Sequence, residues 1–289
     1  MTVAPTMEAG ARPARAGRRQ LAAPAWVGTV PFLAYVGVFL LLPTGIVVYN
    51  AFRNPNGQFQ LAGLRALGSS AVRSFFVGSL ELALISSLVG AVFGAILAYA
   101  VASGNPDGVV RRLYLVVSGV LAQFGGVTLA FAFLVLIGPI GLLFHASWYQ
   151  DFPWGITVIY AYFQIPLMVL VFMPAIDGLK VQWREASESL GASAWQYWRH
   201  VGAPLLAPAF LGSLLLLFAN ALSAFATIEA WENQIAYIVP QQISTVLNSE
   251  VGLANINEGD VLALGMVILV AIVMTAYALV QRRATRWLR

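Results

Sequence analysis

EASESLGASAWQYWRHVGAPLL, residues 185–206, is a polar and aromatic stretch set between long apolar runs. It holds two acids (Glu185 and Glu188), an Arg199–His200 pair, Trp195, Trp198 and Gly191. Of the chain's 289 residues, 60% are hydrophobic and only 10% charged, and the mean hydropathy is +0.79. Soluble domains carry about 25% charged residues, so most of this chain is built for lipid. Crossing a bilayer core takes about 20 apolar residues in a helix. The sequence offers six such stretches, near 27–50, 76–103, 113–138, 155–176, 208–227 and 260–281. Hydrocarbon offers no partner to an unpaired backbone group, so each stretch is predicted to be a helix. The alternating pattern of a β-barrel strand is absent. The expected fold is an all-α integral membrane protein with six transmembrane helices.

Basic residues set the expected orientation. Arg12, Arg15, Arg18 and Arg19 precede the first run; Arg111 and Arg112 lie between the second and third. Lys180, Arg184 and Arg199 lie between the fourth and fifth, and Arg282, Arg283, Arg286 and Arg289 end the chain. Thirteen of sixteen basic residues thus share one side, against Arg53, Arg65 and Arg73 on the other. By the positive-inside rule both termini, and the 185–206 segment, are expected in the cytoplasm. The opposite face is acidic where charged: Asp151, Glu229, Glu232, Glu250, Glu258 and Asp260. Topology accounts for the basic balance, and nothing argues for nucleic-acid binding. The first run is too long for the core of a cleaved signal and no small-residue cleavage site follows it. Arg18-Arg19 therefore reads as an inner-face anchor. With no cysteine there is no disulfide or thiolate metal site.

The quoted segment has internal punctuation. Glu185 to Leu190 favours helix, and Gly191 suits the left-handed conformation that ends one. Ser193 followed by Gln196 reads as a capping box opening a second short helix, in which Trp195, Trp198 and Val201 are expected on one face. Pro204 and Pro208 mark the start of the fifth span. The prediction is helix, sharp turn, helix at the membrane surface. An interfacial amphipathic loop that binds nothing has the same pattern.

The stretch resembles the EAA loop of permease subunits of binding-protein-dependent ABC importers: E-A-A, three residues, Gly, nine residues, I-x-L-P. Here it reads Glu185-Ala186-Ser187, three residues, Gly191, nine residues, Val201-Gly202-Ala203-Pro204. Ser187, Val201 and Ala203 are the departures. LAQFGGVTLAFAF (121–133) and VPQQISTVLN (239–248) are similar to the spermidine/putrescine-type branch, whose relatives include iron, thiamine and phosphonate importers. The likeness covers about 25–289, the expected permease domain of type I importer kind. Residues 1–24 match nothing and are expected as a disordered basic cytoplasmic tail.

The resemblance implies that the loop, about 180–207, is a coupling helix seated on a separate ATPase subunit. Glu185, Ala186, Gly191, Trp195, Trp198 and Pro204 would carry that contact, with Glu185 pairing a basic residue. It also implies two ATPase subunits, a second permease subunit (expected as a different chain), an external substrate-binding protein and a bacterial inner-membrane location. ATP and Mg²⁺ would sit on the partner. This chain is expected to bind no cofactor or metal and to catalyse nothing: its only lysine, Lys180, is followed by Val181, so no P-loop is present.

Polar residues within spans are the pathway candidates. They are Glu81, near the outer end of the second span, and Gln123, Gln164, Asn220 and Ser223. For the neutral four, interhelical hydrogen bonding is the other reading. Gly90 and Gly94 form a small-xxx-small pair suited to close packing, and Pro43 and Pro166 suggest kinks. The loop at 228–259 is long and acidic, is expected to face a binding protein outside, and mildly favours a cationic solute such as a polyamine. An importer of another solute (iron, thiamine, phosphonate or sugar-like), an independent secondary transporter and a scaffolding membrane protein are the alternatives. A secondary transporter should show inverted repeats and a charged midplane site, neither of which the sequence displays.

Overall fold

The computed structural model describes residues 29–53, 57–60, 65, 67–105, 107–138, 141, 147–231, 237–248 and 256–286. The expected tail at 1–24 and the acids Glu232 and Glu250 lie outside the described residues. The chain divides into two compact units, 1–46 and 47–289. Residues 30–46 of helix α1 (Val30–Ala51) belong to the first, with Pro in the helix's first turn and a π-helical turn at Gly37–Leu41.

In the second unit, α2 (Ser70–Ala102) opens on Ser69, whose Oγ accepts a hydrogen bond from Val72 N at 3.3 Å. Then come α3 (Val109–Gln123), α4 (Val127–Leu136), α5 (Trp154–Asp177) and α6 (Val181–Ser189). The chain continues through α7 (Ala194–Ser223), α8 (Phe225–Trp231), α9 (Val239–Asn248) and α10 (Ile256–Arg286). Among the described residues, four helices besides α1 are each long and apolar enough to span a bilayer; α3 and α4 make a sixth span only as a pair bent by 98°.

Two of the expected spans need correction. The third, 113–138, is not one rod. Phe124 adopts φ −83°, ψ 82° and Gly125 N donates to Gln123 O at 3.0 Å, an inverse γ-turn. Gly126 follows at φ 73°, ψ −148°, a region essentially reserved for glycine. The fifth, 208–227, is displaced. Its helix starts at Ala194 and stops at Ser223, so the short helix expected after Ser193 and the span are one element. Pro204 and Pro208 lie inside it. A π turn at Trp198–Gly202, where Ala203 N–H reaches Trp198 O, stands just before Pro204 and admits the missing donor without ending the helix.

The bundle is organised by α2 against α5. Gly90 and Gly94 make this approach possible: a Cβ on Gly94 would lie 2.4 Å from Met168 Cβ, and one on Gly90 would lie 2.7 Å from Gln164 Cβ. The expected small-residue packing is therefore present. One apolar cluster, including Leu82, Leu129, Ile159, Phe163 and Ile228, fills the end of the bundle near the start of α2. A second, with Ala91, Ala98, Met168, Val169 and Leu217, fills the other end. Between them Gln164 Nε2 donates to Ser86 Oγ at 3.2 Å. α9 is clamped to α2, where Val239 N donates to Ser79 Oγ at 2.9 Å.

Candidate functional site

The 185–206 segment folds on purely local bonds. Gly191 sits at φ 78°; its N–H reaches Glu188 O at 2.9 Å and Ala192 N reaches Ser187 O at 3.0 Å. That pair of bonds is a Schellman closure of α6. Two residues later, Gln196 N donates to Ser193 Oγ at 3.3 Å and Ser193 N to Gln196 Oε1 at 2.7 Å, which is a complete capping box. Glu185, Ala186, Trp195 and Pro204 are exposed. Arg184 pairs with Glu188 at 2.9 Å, and this hydrogen bond and charge raise the guanidinium pKa above its ordinary value.

The aromatic face expected at 195–198–201 is not one face, a further correction. Trp195 is 72% exposed, whereas Trp198 turns inward and meets Tyr99 of α2 edge-on at 5.1 Å. It also packs on Gly202, where a Cβ would lie 2.7 Å from its ring. The π turn at Trp198–Gly202 takes Val201 out of α-helical register with Trp198, while Trp195 and Trp198, on the α-helical side of it, differ because only Trp198 reaches α2.

At the far end of α7 the two helix breaks meet. Ala224, between α7 and α8, has φ −79°, ψ 80°, nearly the conformation of Phe124 between α3 and α4. Gly126 N donates to Thr227 Oγ1 at 3.1 Å, and the Tyr160 hydroxyl donates to Ala224 O. These bonds hold both breaks around a cavity of about 460 Å³. Gln123, Asn220 and Ser223 line it together with Gly126, Phe163 and Thr227. Three of the five pathway candidates are thus brought to one place. Ser223 Oγ donates to Asn220 O at 3.1 Å, while the amides of Gln123 and Asn220 make no hydrogen bond within the described residues.

The other two candidates lie elsewhere. Gln164 is 0% exposed and serves the α2–α5 contact, with its Oε1 lacking a partner among the described residues. Glu81 is exposed on the outside of α2, in line with exposed Val77, Leu84 and Leu88. Thr227, Tyr160 and Gly126 were not singled out from the sequence. Gly125-Gly126 within an apolar run was the one available signal.

Residues 90–289 match the family described as binding-protein-dependent transport system inner membrane component. The chain belongs to that family. Among curated relatives, it is 27% identical to the sulfate transport system permease protein CysW of Synechocystis sp. over 205 residues, 68% of this chain and 71% of the relative. It is 25% identical to the sulfate transport system permease protein CysT of Escherichia coli K12 over 222 residues, 72% and 76% of the two chains. Among solved structures, a bacterial ABC transporter importing alginate superposes with TM-score 0.71 at 16% identity, covering 89% of this chain and 94% of that one. The inward-facing MetNI methionine ABC transporter gives TM-score 0.57 at 16% identity, covering 75% and 99%. The fold is that of type I ABC importer permeases, and the chain is a multi-pass inner-membrane component of such a transport system. The polyamine branch is not where these relatives lie: both are named for sulfate.

Proposed function

We propose that this permease forms half of the translocation pathway of an ATP-driven importer, and that its cargo is a small oxyanion of the sulfate kind delivered by an external binding protein. The single observation that carries the mechanism is α7. Its 30 residues run about 45 Å at 1.5 Å per residue, with the EAA-like bend at one end and the cavity at the other. A push on the bend is therefore delivered to the paired breaks at Phe124 and Ala224 without passing through a flexible joint. The EAA-like segment faces a separate ATPase in the cytoplasm, and Glu185 meets a cation there. Gly191 sets the bend, while Ala186, Trp195 and Pro204 border the contact. Trp198 anchors the lever to α2 instead. ATP and Mg²⁺ act on that partner, and a second, different permease chain completes the pathway.

The relatives' names support the cargo, and so does the cavity lining. Among the described residues, Gln123, Asn220, Ser223 and Thr227 supply neutral donors and acceptors, and no carboxylate lines the cavity. A polycation would find no counter-charge there. Amide and hydroxyl donors solvate an oxyanion without trapping it, as a pathway requires. The exposed acids Asp151 and Glu229 then serve contact with the binding protein.

The test is uptake of radiolabelled sulfate by the assembled transporter, together with its ATPase rate. Glu185→Ala is expected to abolish both uptake and stimulation of ATP hydrolysis, because a charge pair in a partly dry groove leaves its partner unpaired when broken. Intact uptake in Glu185→Ala removes the coupling assignment. Uptake of putrescine but not sulfate by the wild type removes the cargo.

A further inference from the structure

An ion pair sits where the lever meets the bundle. Arg111, in the first turn of α3, pairs with Asp177, the last residue of α5 and 66 positions away in the chain. Only 14% of the arginine side chain is exposed, against 42% of the aspartate's, so the pair belongs to the bundle side of α3. Arg111 shares that side with Tyr114, Leu115 and Ser118, three, four and seven residues on, the spacing of one helical face. Tyr114 and Leu115 pack on the apolar cluster at this end of the bundle, and Ser118 is buried. The opposite side of α3, with Val109, Val110, Leu113, Val116 and Val120, is exposed. The helix is attached along a single face.

Beyond Asp177 the chain reaches the lever within three residues. Gly178 N–H donates to Pro174 O at 3.1 Å and Leu179 N–H to Ile176 O at 3.0 Å, and α6 starts at Val181. Asp177 and the base of the lever are thus held together by backbone bonds, whereas α3 and α6 line a cleft of about 580 Å³. At its other end, 15 residues or about 22 Å away, α3 stops at the Phe124 break, which the Gly126–Thr227 bond ties to α8. One end of α3 is fastened beside the pathway cavity and the other beside the lever. We propose that Arg111 and Asp177 form a positioning pair that makes α3 follow the lever, so that both breaks around the cavity are driven together: Ala224 through α7, Phe124 through α3. The inference rests on the transport reading and adds a second route to it. Neither residue lines the cavity; each acts through the helix it holds. With the pair broken, the inner end of α3 lags, and motion of the lever reaches one break without the other.

The chain has no cysteine, so Val110→Cys and Val181→Cys place two spin labels on exposed residues of α3 and α6. Electron paramagnetic resonance of the full chain in nanodiscs reads the spread of distances between them and does not depend on the solute. Arg111→Gln and Asp177→Asn are each expected to widen that spread, and Arg111→Lys to keep it narrow. Arg112→Gln, an exposed neighbour outside the pair, should leave it unchanged. In the assembled transporter, radiolabelled sulfate taken up per ATP hydrolysed should fall about fivefold in either neutral variant, the lower end of coupling between two sites. The double variant should lose no more than either single one, because the two side chains act as a unit. Circular dichroism checks folding, and the two single variants are read independently. An unchanged spread in Arg111→Gln, an equal change in Arg112→Gln, losses that multiply in the double variant, or ATP hydrolysis falling in step with uptake would each overturn the proposal. A wild type that takes up no sulfate refutes the cargo instead, and the distance spread then decides the role of the pair.

Discussion

Gly94→Ala asks whether the α2–α5 approach sets the stability of the bundle. The new Cβ would lie 2.4 Å from Met168 Cβ and 2.8 Å from Ile165 O. Rotating the Met168 side chain moves neither atom, so the conflict is with the frame of α5 itself. Ordinary contact begins at 3.4 Å, so the helices must part locally by about 1 Å. Overpacking of this kind costs about 1–3 kcal/mol. The Ser86–Gln164 bond, already 3.2 Å long, would be lost with it, at about 0.6 kcal/mol. Alanine regains about 1 kcal/mol of helix propensity, leaving a net loss of about 0.6–2.6 kcal/mol. Gly119→Ala, where nothing lies within 4 Å, is the matched control and should be neutral or slightly stabilising. Denaturant titration of the purified chain, followed by circular dichroism, measures both. If Gly94→Ala is as stable as Gly119→Ala, the reasoning from close approach fails.

Thr227→Val keeps the shape of a residue that is 2% exposed but removes the acceptor for Gly126 N–H. Leaving that donor unpaired costs about 1–3 kcal/mol, and sulfate uptake should fall while the ATPase still assembles, because the two breaks are no longer tied; unchanged uptake counts against a shared role for the breaks. Ser193→Ala removes the N-cap of α7, worth about 1 kcal/mol, and hydrogen exchange of residues 194–197 should quicken about fivefold while α5 stays protected.

What the sequence makes legible is what depends on near neighbours. Gly191, Ser193 and Gln196 lie within six residues of one another, so their turn and cap follow from spacing alone. Hydrocarbon thickness likewise makes the spans countable. The break at Gly125-Gly126 is half legible: the dipeptide signals a turn, but an apolar window of span length averages over it. The break at Ala224 has no local mark. It depends on Tyr160 and Gly126, which are 64 and 98 positions earlier in the chain. Trp198 turning onto Tyr99 is equally a product of the folded bundle. The cavity was therefore visible only as scattered polar residues; Gln164, the most deeply buried of them, belongs to packing.

The bend between α6 and α7 is finished by its own atoms on both sides. A loop that had to be ordered on contact would lose about 1–2 kcal/mol per residue, or roughly 4–8 kcal/mol over positions 190–193. Here that loss has already been met in the isolated chain. Under the proposed coupling, a docking partner would find a rigid handle, and its displacement would be passed along rather than dissipated in straightening slack.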